Sequence, residues 1–321
     1  MKENSELEMI SIIIPTYNRE KELKKTIESA LEQSFDNFEI IVVDNGPSTD
    51  NTRDIVASFN DSRVKYTATE LKGCIFARNI GAEAAKGEIL LTIDDDIEFI
   101  KGNELAILVE TYKKDDKIAV VGGIELRSRD EIVKKSVDIL PPNIGRISEK
   151  GEFNTSFKLI EGHGITEVDH VRSAFMAIKK EVFEQVGGFD EIYNAKGLGF
   201  RYESDLCLKV KRAGYKVVVN PDIKIWHKGA ARARGFKRGE GLSYFYYANR
   251  NHVYFMNKFF WHGNLASFLR DMVWGSYRTP GIGLCLWRCF SKRNIGFILY
   301  AFSSAIGKIE GYRRYLIIEH R

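Results

Sequence analysis

Three consecutive carboxylates, Asp94, Asp95 and Asp96, follow directly on an apolar run of strand length at 89–93. The core of a sheet cannot hold three adjacent uncompensated charges, so this aspartate triplet must emerge where the strand ends. Carboxylate oxygens are the ligands that Mg2+ and Mn2+ prefer, and these ions often bridge to phosphates of a substrate. The triplet therefore indicates either a divalent metal site or simply a polar exit from a buried strand.

Polar or aromatic residues also follow two earlier strand-like runs, at 11–15 and 38–43. Strand and helix patterns alternate four times before the triplet, which predicts an α/β fold with a mostly parallel sheet. Ligands of such sheets bind beyond the carboxyl ends of the strands. There, Tyr17 could stack on a base, Asp44 could accept from a ring N–H, and Arg78 on the third helix could pair with a phosphate or the base. A metal on the triplet could hold a diphosphate.

The motifs of two common nucleotide-binding classes are absent. The first loop is not G-x-G-x-x-G, and no G-x-x-x-x-G-K-[ST] occurs in the chain. A metal-dependent nucleotidyl- or phosphotransferase, the first alternative, would need a glycine-rich phosphate loop. A basic nucleic-acid-binding protein, the second, would need a recognised binding module, and none is found. We therefore expect no nucleic-acid partner.

Taken in order, the sequence motifs resemble those of the family 2 glycosyltransferases. The matching segments are SIIIPTYNR (11–19), IVVDN (41–45), ARNIG (77–81), AKGEIL (85–90), DDD (94–96), GGFDE (187–191), ESDLCLKVKRAGY (203–215) and WH (226–227). The resemblance covers roughly residues 9 to 230. It implies the GT-A fold, inversion at the transferred sugar, a nucleotide-diphosphate sugar donor and a divalent cation, Mn2+ or Mg2+.

The resemblance also implies roles for individual residues. The metal would be held by Asp96 and Asp94, with His227 completing the site or contacting the diphosphate. The nucleotide would be bound by Pro15, Thr16, Tyr17, Arg19, Asp44, Arg78, Asp94 and Asp95. One departure from the family is the sequence Asp44-Asn45, where two acidic residues often end the second strand.

Inverting transfer needs a base that deprotonates the acceptor hydroxyl. The family commonly reads Glu-Asp-x-Asp-Leu at this place, and counting back three residues from Leu206 gives Glu203 as the base. Asp205 is the fallback. Alternatively, Glu203 is an ordinary acid in the first turn of a helix, stabilised by the helix dipole.

The charge of the chain is unevenly distributed. The net charge is +4, yet residues 201–321 carry 22 Lys and Arg against 7 Asp and Glu. The resemblance implies a GT-A catalytic domain at 1–230. The charge distribution adds the expectation of a basic, aromatic-rich helical extension at 231–321 that contacts phosphates or acceptor. The basic, glycine-containing segment 228–241 predicts either a lid over the diphosphate or a solvated loop.

The extension shows aromatic and apolar helical patterns. The helix predicted at 242–260 must pack on the domain, on a second copy in a homodimer, or at a membrane. The apolar run at 295–307 is shorter than the roughly 20 residues of a spanning helix. With Trp261, Trp274, Trp287 and nearby cations, it favours helices on an anionic membrane surface, the alternative being a helical subdomain packed on the core.

The remaining composition predicts the compartment. Four cysteines without a CxxC pair and an N-terminus unlike a signal peptide are typical of a cytoplasmic protein. We expect the protein in the cytoplasm, peripheral on the inner face of the cell membrane. The resemblance to family 2 glycosyltransferases implies a glycan or lipid-linked acceptor.

Overall fold

The computed structural model describes most of the chain. The described residues are 9–46, 48–131, 137–195, 198–229, 241–276, 278–293 and 295–319. The chain forms two compact units. Unit 1 comprises residues 1–146, 154–191 and 203–233, and unit 2 comprises 147–153, 192–202 and 234–321. The functional division predicted at residue 230 stays a prediction, and most of the predicted basic lid, 230–240, lies outside the described residues.

Unit 1 is built around one sheet. Its elements are β1 (Ile10–Thr16), α1 (Glu20–Leu31), β2 (Phe38–Asn45), α2 (Thr52–Ser58), β3 (Val64–Thr69), α3 (Cys74–Ala84), β4 (Ile89–Ile93), β5 (Ile97–Phe99), α4 (Glu104–Tyr112), β6 (Ile118–Leu126), β7 (Thr166–Glu167), β8 (Phe175–Lys179) and α5 (Lys180–Gln185). The element α6 (Tyr202–Arg212) begins at the unit boundary, and β11 (Lys216–His227) completes the sheet.

The strand order is β3-β2-β1-β4-β8-β6-β11-β5, with β7 paired to β11. Strands β3, β2, β1 and β4 pair in parallel, as do β6 and β11. In contrast, β8 runs antiparallel between β4 and β6. A parallel return needs a long crossover, usually a helix. The described part of the segment before β8 (127–174) holds a 3-10 turn (Phe157–Ile160) but no α-helix. The α/β class is confirmed, and the sheet is mixed.

Helices cover both faces of the parallel strands, which explains why β1, β2 and β4 read as continuous apolar runs. Nearly every residue of these strands is buried. Helix α1 buries Leu23, Ile27 and Ala30, which recur at helical spacing. Helix α3 approaches β1 so closely that a Cβ on Gly81 would lie 2.3 Å from the side chain of Ile13. Only glycine allows this approach, which fixes α3 beside the strand ends.

Unit 2 is mainly helical. Its elements are β9 (Asn194–Ala195), β10 (Leu198–Gly199), α7 (Leu242–Met256), a π-helical turn (Asn257–Trp261), α8 (Leu265–Val273), α9 (Ile282–Lys292) and α10 (Gly296–Glu319). Helices α7 and α10 pack along one another. A Cβ on Gly307 or Gly311 of α10 would lie 2.2 or 2.3 Å from a carbonyl oxygen of α7. Among the described residues, none of the helices combines the length and apolarity needed to cross a membrane.

Candidate active site

The ends of β2, β1 and β4 lie side by side at one edge of the sheet. Thr16 ends β1 and pairs in register with Asp44 on β2. On the other side of β1, the aspartate triplet follows the end of β4, and Thr16 Oγ1 donates to Asp95 Oδ2 at 2.9 Å. Thr16 thus links the two neighbouring strand ends.

The loop after β1 is fixed to the loop after β2. Pro15 is buried within β1, and Tyr17 is partly buried just beyond it. Asn18 adopts a left-handed conformation with φ of 51°. Its backbone N–H donates to Ser48 Oγ at 3.2 Å, and its side-chain oxygen accepts from the Thr49 N–H at 2.7 Å. These bonds join the residue after Tyr17 to the loop after Asp44, while the predicted stacking of Tyr17 on a base stays a prediction.

A cluster suited to a divalent cation is formed by Asp94, Asp96 and His227. Each offers one ligand atom, and these atoms all lie within 4.8 Å of one another. His227 Nε2 lies 3.3 Å from Asp96 Oδ1 and 3.8 Å from Asp94 Oδ2. Two carboxylate oxygens and one imidazole nitrogen are a donor set that Mn2+ accepts, and Mg2+ prefers the oxygens. The three predicted metal ligands therefore come together.

A carboxylate contacts the His227 ring nitrogen that does not face the aspartate triplet. Its Nδ1 lies 3.2 Å from Glu125 Oε2, which also accepts from Arg172 Nη1 at 2.8 Å. Burial acts to lower the pKa of His227, but hydrogen bonds to Asp96 and Glu125 outweigh it and raise the pKa to about 10. Burial likewise acts to raise the pKa of Glu125, which is nevertheless lowered by His227 and Arg172. The ring is thus oriented with Nε2 towards the triplet.

The middle carboxylate of the triplet is enclosed by protein. Arg19 Nη1 donates to Asp95 Oδ1 at 2.5 Å, and its Nη2 donates to Asp96 Oδ2 at 3.1 Å. Thr26 Oγ1 donates to the backbone oxygen of Asp95 at 2.9 Å. Burial, together with the charges of Asp96 and Asp94, raises the pKa of Asp95 to about 7 against the opposing effect of Arg19. Arg19 and Asp95, both predicted nucleotide ligands, here fix the shape of the triplet.

Asp94 is oriented by Arg78 from α3. The Arg78 side chain is buried, and its Nη2 donates to Asp94 Oδ1 at 2.6 Å. The other oxygen of Asp94 faces His227. Arg78, predicted to face the nucleotide, therefore reaches the site through Asp94.

Asp44 lies at a separate recess on the same edge. It accepts from Ser48 Oγ at 2.7 Å and from the Tyr66 hydroxyl at 2.9 Å. The recess has a volume of about 270 Å³ and is lined by Asp44, Ser48, Asp50, Arg53, Tyr66, Ala68, Thr69 and Glu70. Burial and the bond to Asp44 raise the pKa of Tyr66 to about 12. The Tyr66 hydroxyl therefore stays protonated. This hydroxyl, a hydrogen-bond donor, and the Asp44 carboxylate, an acceptor, line the same small recess.

Glu203 and Asp205 both lie in the first turn of α6, in different surroundings. Asp205 is wholly buried and lies 3.6 Å from Lys209 Nζ. Lys209 Nζ also donates to the backbone oxygen of Gly188 at 2.6 Å. Glu203 is only partly buried. Of the two candidate bases, Glu203 is the less buried, and its role as the base stays a prediction.

Comparison with known proteins decides the family. The family described as "Glycosyl transferase family 2" matches residues 11–187, more than half of the chain. The chain belongs to this family.

Several similar proteins have names that state an activity. The chain is 38% identical over 118 residues to glycosyltransferase GlyG of Streptococcus pneumoniae, covering 36% of this chain and 38% of GlyG. It is 35% identical over 130 residues to the Escherichia coli UDP-Glc:alpha-D-GlcNAc-diphosphoundecaprenol beta-1,3-glucosyltransferase WfgD, covering 40% and 51%. It is 25% identical over 229 residues to the glucosyl-dolichyl phosphate glucuronosyltransferase of Haloferax volcanii, covering 68% and 69%. The matches to GlyG and WfgD thus span about half of those proteins or less.

Solved structures share the fold. The mannosyltransferase PcManGT of Pyrobaculum calidifontis, in complex with GDP-Man and Mn2+, aligns with a TM-score of 0.53 at 18% identity, covering 96% of this chain and 86% of that one. GalNAc-T7 with UDP, GalNAc and Mn2+ aligns with a TM-score of 0.59 at 16% identity, covering 99% and 58%. The GT-A fold predicted for this family 2 chain is confirmed.

The structure adds residues that the sequence motifs did not single out. Glu125 and Arg172 orient His227, while Tyr66 and Ser48 donate to Asp44. Tyr66 had one sequence signal, its place in a strand expected beside the strand that ends at Asp44. No sequence feature points to Glu125 in this way, because the residues that it contacts, Arg172 and His227, lie far from it in the sequence.

The segment after His227 is tied to the triplet as well. The Lys228 N–H donates to the backbone oxygen of Asp96 at 3.0 Å. Lys228 Nζ forms an ion pair with the buried Glu98, which also pairs with Arg129 at 2.7 Å. The antiparallel pairing of β5 with β11 sets Trp226 opposite Glu98. This pairing fixes where β11 ends and hence where His227 lies.

Proposed function

We propose that this family 2 chain is an inverting glycosyltransferase. It moves a sugar from a nucleotide-diphosphate donor to an acceptor hydroxyl. The observation that carries the proposal is the cluster of Asp94, Asp96 and His227 at the same sheet edge as the recess of Asp44. A cation-binding cluster and a base-sized recess on adjacent strand ends suit the two ends of a nucleoside diphosphate.

The donor base would enter the recess of Asp44. The buried carboxylate accepts hydrogen bonds, so a base that presents a ring N–H would fit. Tyr17, next to Thr16 at the end of β1, would cover the face of the base. Asp94, oriented by Arg78, would meet the ribose.

The diphosphate would lie at Asp94, Asp96 and His227, with Mn2+ or Mg2+ held by these residues. When bound, the cation offsets the negative charge that develops on the departing diphosphate. Arg19 keeps Asp96 in place through the ion pair at 3.1 Å, and Glu125 does the same for His227. These supports are already formed, and Nε2 of His227 would release the proton that it shares with Asp96 when a cation binds there.

Glu203 would take the proton of the acceptor hydroxyl. Attack on the sugar from the face opposite the diphosphate inverts the configuration of the anomeric carbon. The contact between Asp205 and Lys209 would hold the first turn of α6, and thereby Glu203, in place. Asp205 would then be a support for the base.

The acceptor would be a glycan or a lipid-linked glycan. The names of WfgD and of the Haloferax volcanii relative give diphosphoundecaprenol-linked and dolichyl phosphate-linked substrates. A lipid-linked acceptor would place this chain at the cytoplasmic face of the membrane, as a peripheral protein.

A ligand panel tests the proposal. The melting temperature of the protein is measured with UDP, GDP and dTDP, each with and without Mn2+. A ligand that binds only the folded chain raises the melting temperature. We expect one nucleoside diphosphate to do so, and only with the cation present. If no nucleotide shifts the melting temperature under either condition, the proposal is wrong.

A further inference from the structure

Helix α10 of unit 2 has its apolar side on the outside. Ser304 and Lys308 on its inner side are wholly buried. On the opposite side, Leu299, Phe302 and Ile306 are exposed, and Phe302 is 65% exposed. A helix that faces water normally shows the reverse pattern, with polar residues outside. The distribution on α10 is that of a helix whose outer side meets an apolar environment.

Helix α9 repeats this inversion. It buries Cys285 and Arg288, and it exposes Leu286, Trp287 and Phe290. Trp287 is 63% exposed and Phe290 is 81% exposed. Single exposed apolar residues are common on protein surfaces, but large aromatic ones grouped on the outer sides of neighbouring helices mark an interaction site.

Helix α8 follows the same rule. Its inner side carries the buried Phe268 and Asp271, whereas Leu265, Leu269 and Val273 recur every fourth residue on an exposed side. The three helices pack against one another. Their exposed sides together are called the apolar face below, and its main residues are Leu265, Leu269, Trp287, Phe290, Phe302 and Ile306.

Cations accompany the apolar face. Arg270, Arg278 and Arg293 are exposed on or between the three helices. Of the acids in the described part of 265–319, Asp271 is buried in an ion pair with Lys308. Glu310 is paired with Arg313 and Arg314, and Glu319 ends α10. The charge presented around the apolar face is therefore mainly positive.

We propose that the apolar face docks unit 2 on a lipid bilayer containing anionic lipids. Trp, Phe and Leu side chains would enter the boundary between headgroups and acyl chains, while the arginines meet the phosphates. A symmetric contact between two copies would instead place this mainly positive face against a second mainly positive face. The inference deepens the proposed function, on which the link to a lipid-linked acceptor rests.

The test uses the full chain and sedimentation with vesicles. One set of vesicles contains phosphatidylglycerol and phosphatidylcholine, and the other contains phosphatidylcholine alone. We expect the protein to sediment with the anionic vesicles and much less with the neutral ones. Binding to the anionic vesicles should fall as salt is added, since salt screens the arginines.

Two sets of variants locate the contact. Phe290→Ser with Phe302→Ser should weaken vesicle binding by more than about tenfold, because each aromatic side chain would lose apolar burial. Ile139→Ser in unit 1 is the matched control, since Ile139 is 86% exposed and lies outside the face. Arg270→Gln with Arg293→Gln should weaken binding to anionic vesicles, with Lys24→Gln as control. All these residues are exposed, and the melting temperature checks that each variant folds.

Each result decides the inference. Wild-type protein that stays in solution with both vesicle types would overturn it. So would a Phe290→Ser, Phe302→Ser variant that binds like wild type, or a dimer in ultracentrifugation that this variant dissociates. Sugar transfer to a soluble acceptor is measured separately: transfer without vesicle binding refutes only the docking face. Vesicle binding without any nucleotide binding refutes only the proposed enzyme.

Discussion

His227 Nε2 lies 3.3 Å from Asp96 Oδ1, although His227 ends β11 and Asp96 follows β4. Two strands, β8 and β6, separate β4 from β11 in the sheet. The link is made by β5, which continues directly from the triplet and pairs antiparallel with the end of β11. His227 and the triplet thus form one cluster because β5 brings the chain back to β11.

Asp96→Ala should abolish cation binding at this cluster. It removes one ligand atom. Even the loss of a residue that only hydrogen-bonds to a metal ligand lowers metal affinity or activity by about ten- to a hundredfold. We expect sugar transfer to fall by more than about a hundredfold, and the Mn2+-dependent rise in melting temperature to disappear. Asp116→Ala, at an exposed acid outside the cluster, is the control and should behave like wild type. Transfer by Asp96→Ala that persists with EDTA present would contradict the assignment.

Glu125→Gln should weaken cation binding through the orientation of His227. The substitution keeps the shape of the side chain but loses the charge that faces His227 Nδ1 and Arg172. We expect the dissociation constant for Mn2+, measured by calorimetry, to rise about tenfold. Glu184→Gln, at an exposed glutamate, is the control. An unchanged affinity for Mn2+ would show that Glu125 is not needed to position the ring.

Glu203→Gln should separate binding from transfer. The amide cannot take up a proton, so the rate of transfer should fall by about a hundredfold or more. The affinity for the nucleoside diphosphate should remain, because the change leaves the recess of Asp44 and the metal cluster intact. Full activity of Glu203→Gln would require another base.

Asp205→Asn distinguishes the fallback. Asp205 is buried beside Lys209, so the change should lower the melting temperature. If Asp205 is a support, some transfer should survive at a temperature where this variant is folded. Complete loss of transfer in the folded Asp205→Asn protein, with Glu203→Gln active, would reverse the roles of the two residues.

Lys308→Met should strongly destabilise unit 2. Lys308 forms a buried ion pair with Asp271, and its Nζ lies 3.3 Å from the Thr279 carbonyl oxygen. Removing one partner leaves an uncompensated buried charge, which costs about 3–5 kcal/mol. Adding Asp271→Leu should recover much of the lost free energy of unfolding. Urea unfolding of both variants measures this coupling.

The control for this pair is an exposed one. Lys24 and Glu28 on α1 lie 3.9 Å apart, and both side chains are about half exposed. Lys24→Met should change the free energy of unfolding by less than about 1 kcal/mol, because exposed ion pairs contribute little. Equal effects of Lys24→Met and Lys308→Met would show that the buried pair contributes no more than a surface pair.

The sequence alone determined the parallel strands around β1, β2 and β4 and the triplet at the end of β4. Each of these features is local: a run of apolar residues has the length of one strand, and charged residues must leave the core where the run stops. The helices between the strands follow from the same short-range periodicity. Family motifs then supplied Glu203 and His227, which local pattern by itself leaves ambiguous.

Only the tertiary structure decided which side chains support the site. Glu125 contacts His227 and pairs with Arg172, and Arg19 pairs with Asp95 and Asp96, through contacts between elements remote in the chain. Strand order and register determine which of these side chains meet. The strand order is stabilised by packing throughout the sheet, so no short stretch of sequence reveals it. The same holds for the outward apolar side of α10, since a helical pattern shows that two sides differ but not which side is buried.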